Sequence, residues 1–388
     1  MLKALLRRRF APGLVSLTTL ALGAVAAMAA GPALADEEPG AVYVLSNQAA
    51  GNSVWVYARH ENGELSFTGS VATGGLGTIT PPPPNGAPGI DPLFSQGALV
   101  YHDGLLIVVN AGSNDISLFR AEDDELRLLD RVPSGGVTPT GVAVRGGLVY
   151  VQNAGGTPNI SGFVIDASHR HLNPLPNSTI ALPGGTAAGP GEVSFAAHGD
   201  FLVVTEKGTN LIDTFRVDGH GRATLASSSA SVGNVPFGFS VTQSENLVVA
   251  DAGSGAVSSY KVRRDGSLLT VSGAVSLNGQ TAPCWLVTTA NGRYAFTGNA
   301  GTQSISTLSV TRDGSVSLLQ GVAASTNGAA LDLGLTADSR FLYVRSAQGA
   351  HASLPGTVSG FKVGHDGSLT AINSLSNLPP GAQGIAAR

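Results

Sequence analysis

An all-β fold is what this sequence predicts: a seven-bladed β-propeller of four antiparallel strands per blade. Three observations lead to it. A strand–loop–strand unit recurs along the chain, its first strand ending each time in a polar residue: Asn47, Asn110, Asn153, Glu206, Asp251, Asn299 and Ser346. Most of these end-points lie about 43 to 53 residues apart, the period of a four-stranded blade. Asp-Gly and Asn-Gly pairs, which supply the positive φ angles of two-residue hairpins, punctuate the units at Asn62-Gly63, Asp103-Gly104, Asp218-Gly219, Asp265-Gly266, Asn291-Gly292, Asp313-Gly314 and Asp366-Gly367.

The unit is clearest in blade two. Strand a is expected over 96–100, strand b over 105–109, strand c over 116–119 and strand d over 126–131. For strands a, b and c the later blades repeat it at 141–143, 149–151 and 160–163, then at 193–196, 201–205 and 212–215. They continue at 237–241, 247–250 and 257–260, at 285–288, 294–297 and 305–308, and at 331–335, 341–344 and 358–361. Blade one lacks a strand before 42–45, while the chain ends in an unpaired apolar piece, 383–387. That tail is expected to serve as strand a of blade one, because an open ring would leave two bare sheet edges. The connection over 73–94, with Pro81-Pro82-Pro83-Pro84, is the longest; it reads equally as a stiff spacer or a lid. A second long loop, 348–356, interrupts blade seven.

Residues 1–35 read as a cleaved export signal, leaving 36–388 as one propeller domain. Lys3, Arg7, Arg8 and Arg9 precede the apolar stretch 14–30, and Ala33-Leu34-Ala35 forms a small-x-small cleavage site. Arg7-Arg8-Arg9-Phe10 also fits a twin-arginine signal. The expected location is secreted or periplasmic, with no integral membrane span after processing. That stretch holds four cations and no acid, so its loss moves the formal charge from −4 to −8. A mildly acidic protein without a basic cluster is not a nucleic-acid binder. Cys284 is the single cysteine, so no internal disulfide forms; its apolar setting suits a buried thiol. A monomer with a small-molecule substrate is expected.

Leu342-Tyr343-Val344, Asn110-Ala111-Gly112 with Ile116-Ser117-Leu118-Phe119, and Asp366-Gly367-Ser368-Leu369 carry a resemblance. The repeats resemble the lactonase family of seven-bladed propellers, which includes bacterial 6-phosphogluconolactonases and fungal carboxymuconate lactonising enzymes. The resemblance implies a lactone-processing enzyme. Family members carry a histidine after proline at the start of an inner strand. This chain has Pro139-Thr140, Pro236-Phe237 and Pro283-Cys284 there, so no catalytic residue is carried over by motif. Export also argues against a cytosolic sugar phosphate as substrate.

Candidate site residues follow from propeller geometry, which gathers the b–c loops and d–a connections on one face. Asn110, Asn153 and Asn299, each followed by Ala-Gly, suit turn-formers better than ligand contacts. Glu206, Lys207, Asp251 and Arg345 break the pattern with charge. Glu206 or Asp251 is expected to act as general base, Arg345 and Lys207 as cations for a carboxylate or oxyanion, and His351 as a second acid. Gln96, Glu192 and Trp285, at inner strands, either line the pocket or fill the channel. The other seven histidines fall in a–b and c–d turns of the opposite face and are expected to be solvated. No cofactor is expected, although Glu206 and Asp251 are oxygen ligands suited to Ca²⁺. The alternative to an enzyme is a non-catalytic propeller, a binding or scaffold module at the cell surface.

Overall fold

The computed structural model describes residues 40–79, 90–122, 125–348 and 354–388. The proposed leader, the proline run and His351 lie outside the described residues. The described chain folds into seven sheets arranged as a propeller. Six are consecutive runs of the chain. The seventh, blade one, is closed by the tail: Ile385–Ala387 pairs antiparallel with Gly40–Leu45, Val44 opposite Ile385 and Val42 opposite Ala387. Backbone bonds from Gln383 to Leu45 and from Leu45 to Gly384 extend the seam. The expected latch is present because it satisfies the edge groups that an open ring would expose.

Strand burial explains the arrangement. The b strands are buried almost throughout, Leu105–Asn110 and Phe201–Glu206 at every residue, since both faces of each blade pack on neighbouring blades. The outermost strands, such as Leu369–Leu378, alternate exposed and half-buried residues. Blade three departs from the plan: its outer edge is split into Leu172–Pro174 and Ile180–Ala181, both paired with Asn159–Ile165. Helix among the described residues is limited to two 3₁₀ turns, Gly185–Ala187 and Ala197–Gly199. No described helix is long and apolar enough to cross a membrane.

The inner strands place the channel residues. In blades three to seven each a strand slips register near its start: Pro139/Gly141, Pro190/Val193, Pro236/Phe239, Pro283/Trp285 and Ala330/Leu333. A bulge re-aims the side chains beside it. Thr140, Glu192, Cys284 and Asp332 all sit within these slips. The b–c and d–a connections form the upper face below, and the a–b and c–d turns the lower face.

Candidate functional site

Residues 90–96 form an axle through the upper channel that touches the other six blades. Leu93 N–H donates to Gln383 Oε1 at 2.6 Å, tying it to the C-terminal latch of blade one. Ser95 Oγ donates to Thr140 O of blade three at 2.7 Å, and Gln96 N–H to Gly191 O of blade four at 2.9 Å. The Gln96 amide bonds both the N–H and the C=O of Leu286 in blade six, each at 2.9 Å, and reaches Phe239 O of blade five at 3.4 Å. Trp285 Nε1 donates to Ser95 O at 3.1 Å. Arg345 Nη1 reaches Ile90 O of the axle at 3.5 Å, from blade seven. Glycine is required at 238, where a Cβ would collide with Gln96 Oε1 and Cys284 O. Gln96 and Trp285 thus fill the channel as braces.

Ionisable groups gather around this axle. Lys207 Nζ donates to Phe94 O and Pro190 O, both at 2.6 Å, and lies 4.9 Å from the Phe237 ring centroid and 5.2 Å from that of Phe94. Burial brings its pKa down to about 7, against the opposing pull of Asp91. Asp91 Oδ1 accepts from Phe94 N–H at 2.8 Å and from the Gln383 amide, while Oδ2 makes no hydrogen bond among the described residues. Burial raises its pKa to about 6, held back by those bonds and by the charges of Lys207 and Arg345. Arg345 is fully buried; its Nε makes no hydrogen bond among the described residues, and burial lowers its pKa to about 10 against the pull of Asp91 and Asp332. Asp332, raised to about 8 by burial, accepts from Leu333 N–H. Glu192 accepts from Phe239 N–H at 2.5 Å and is pushed well up, by burial first and then by Asp332. Burial also pushes the free Cys284 thiol up, leaving it inert.

The structure therefore brings Lys207, Arg345, Glu192, Gln96 and Trp285 to one hub, and leaves Glu206 and Asp251 out of it. Glu206 accepts from Gly184 N–H at 3.0 Å and Thr209 Oγ1 at 2.5 Å. Asp251 accepts from Ser258 Oγ at 2.5 Å and Ser231 Oγ at 3.4 Å, and burial raises it to about 7. Among the described residues no hydrogen bond or ion pair joins either to the other or to Arg345. They occupy the position of Asn110, Asn153 and Asn299, whose amides clamp the start of strand c: Asn110 bonds Asp115 and Ser117, Asn299 bonds Ser304 and Ser306, and Asn153 bonds Asn159. These three are turn-formers, as the repeat argued. The physical reason is strand alternation: an end-of-b side chain lies on one face of its sheet, while the residue beside it, Lys207 or Arg345, lies on the other. The proposed Ca²⁺ ligands are likewise separate, each bonded to its own blade and to the link that precedes it. Among the described residues no group of three or more His, Cys, Asp or Glu could hold a metal ion.

Sequence reasoning missed Asp91, Asp332 and Gln383. Asp332 had a signal, an acid inside the apolar run Leu331-Asp332-Leu333 of an inner strand. Asp91 had none, because it sits in the irregular link before blade two.

The "Lactonase, 7-bladed beta-propeller" family model matches residues 157–253 and 249–332. The resemblance read from the repeats is borne out by that match. No curated protein matches the chain. Among solved structures, a Lactobacillus plantarum protein aligns with TM-score 0.69 at 15% identity, over 90% of this chain and 99% of that one. The Pseudomonas aeruginosa periplasmic gluconolactonase PpgL aligns with TM-score 0.68 at 13% identity, over 90% and 99%. A candidate 6-phosphogluconolactonase from Bacteroides fragilis gives TM-score 0.66 at 14% identity, over 90% and 98%. At these identities the structures speak for the propeller fold.

Proposed function

With the seven-bladed lactonase likeness as premise, we propose that the chain is an exported enzyme that opens or isomerises a small lactone at the upper hub. The observation that carries this reading is the shared burial of Asp91 and Lys207 at the axle, each bonded to the Phe94 backbone, where burial pushes the acid up to about 6 and the amine down to about 7. A base and an acid tuned toward neutrality are what general acid–base chemistry needs. Both are 7% exposed, so each keeps an edge that a ligand can reach.

For hydrolysis, Asp91 Oδ2 takes a proton from water as the water oxygen bonds to the lactone carbonyl carbon. Lys207, with two N–H groups spent on Phe94 O and Pro190 O, turns its third toward the oxygen that gains charge. The ring C–O bond then breaks, and the proton on Asp91 passes to the leaving alkoxide. Arg345, fully buried behind them, adds positive charge to the hub without touching the substrate. Export by the cleaved leader belongs to the same proposal, and N-terminal sequencing of the mature protein tests it.

A lactone panel assayed with and without chelator on wild type, Lys207→Met and Glu206→Gln tests the reading. Turnover lost in Lys207→Met, retained in Glu206→Gln and indifferent to chelator supports it. The packing of the axle favours a second reading, a braced propeller that binds without chemistry. No turnover on any lactone by the folded wild type would select that one.

A further inference from the structure

The lower mouth of the channel holds a second constellation, built from residues that the hub does not use. A cavity of about 460 Å³ opens there, where the inner strands of blades three to six end. His198 in the a–b turn of blade four lines it, and so does Glu245 in the same turn of blade five. The Glu245 carboxylate grips His198 twice: Oε1 lies 3.0 Å from ring Nδ1, and Oε2 accepts the His198 backbone N–H at 3.0 Å. This double grip fixes the imidazole and leaves Nε2 as its free nitrogen, on a side chain 82% exposed. In the neutral ring, with Nδ1–H donated to the carboxylate, Nε2 is an acceptor.

The backbone is strained to make this pair. Ala197, His198 and Glu245 have φ of 50°, 54° and 59°, a left-handed region that such residues seldom enter. In the a–b turn of blade six the position of Glu245 is Gly292, with φ 66° and the same bond back to the preceding threonine. Blade five thus places a glutamate where its neighbour uses glycine. Strain of this kind collects at functional sites. Arg145, from the end of the inner strand of blade three, completes the cavity. Its guanidinium lies over the backbone of Gly199, where any Cβ would strike it, and it forms no hydrogen bond or ion pair among the described residues. Ser240 and Thr288, bonded to each other at 2.7 Å, add hydroxyls to the lining.

We propose that this cavity is a second ligand site for a small hydroxy-carboxylate, its carboxylate held by Arg145 and a hydroxyl donated to His198 Nε2. A lone cation would take any anion, and a lone imidazole any hydroxyl; the pair selects molecules that carry both. Glu245 is a positioning residue here. The site stands independently of the reaction proposed for the hub.

Calorimetric titration of the full chain with sodium gluconate, and with sorbitol as its uncharged counterpart, tests the assignment. Saturable gluconate binding is expected, with sorbitol at least 10-fold weaker. Arg145→Gln and His198→Phe should each weaken gluconate at least 10-fold while circular dichroism stays unchanged. Lys207→Met, at the other mouth, should leave the affinity as it is. Glu245→Gln should weaken binding several-fold and alter the ¹⁵N tautomer signature of the His198 ring, which a merely structural role would not move. Absence of saturable binding in the wild type overturns the proposal. So does binding that survives Arg145→Gln and His198→Phe but falls in Lys207→Met, which would place the ligand at the hub.

Discussion

Glu206 and Lys207 are neighbours in the chain and belong to different parts of the molecule. Glu206 closes the b–c hairpin of blade four, doing with a carboxylate what Asn110 and Asn299 do with an amide. Lys207 leaves the sheet, crosses to the axis and bonds the axle at Phe94. The rim positions of Asn110, Asp251 and Asn299 are fixed by repetition: each bonds the start of strand c, and Asn110 lies against Gly75 and Asp251 against Gly233 of the link that precedes its own blade. The charges of Lys207 and Arg345 have no charged equivalent at the matching positions of the other blades. A charged residue that departs from a repeat is therefore informative only when its side chain also leaves the repeat's geometry.

The largest expected effect separates the two regions by chemistry. Lys207→Met should lower kcat/KM for the best lactone of the panel by roughly 100-fold or more, the scale of a lost charge-stabilising donor. Asn299→Ala, which removes the corresponding rim clamp, should leave kcat/KM within a few-fold. Steady-state kinetics on the two variants checks this.

Stability against pH comes next. Asp91, Asp251, Asp213 and Asp332 have pKa values raised by burial to about 6, 7, 8 and 8. Between the ordinary carboxyl value near 4 and these values the unfolded chain has lost the protons that the folded chain retains. Stability therefore falls as pH rises through that window. Lys207, lowered to about 7, acts only above it, where the unfolded chain binds the extra proton and stability recovers in part. Tm should be lower at pH 7 than at pH 5 by about 5 °C or more, read by calorimetry. Equal values at the two pH points would remove the buried-acid account.

Smaller effects sharpen the rim. Asn299→Ala should cost about 1–3 kcal/mol in urea unfolding, because the buried Ser304 and Ser306 oxygens lose the amide that donates to them. Glu206→Gln should change stability least. It should nonetheless weaken the pH dependence, since burial first and then the Glu206 carboxyl raise Asp213.

The fold was almost wholly legible, since hairpin turns and alternating strands are local features and their period counts the blades. Closure by 383–387 was legible too, because an unpaired piece at one end matched a missing strand at the other. The site was legible only in part. Lys207 and Arg345 stood out, with Glu206 and Asp251, as charges that break the repeat, but periodicity alone does not say which of the four reach the axis. Asp91 was hidden in an irregular link whose path is set by bonds to distant blades, such as Leu93 to Gln383. His198 is solvated, as its place in a lower-face turn implied; only its partner Glu245, which comes from the next blade, was not legible.

The most direct test of the hub as a reaction centre is the pH profile of kcat/KM for the wild type and Asp91→Asn on the best lactone of the panel. The account predicts a narrow bell with limbs near the values of Asp91 and Lys207, about 6 and about 7, and loss of the acid limb with most of the rate in Asp91→Asn. A profile flat across that range, or one unchanged in Asp91→Asn, would contradict it.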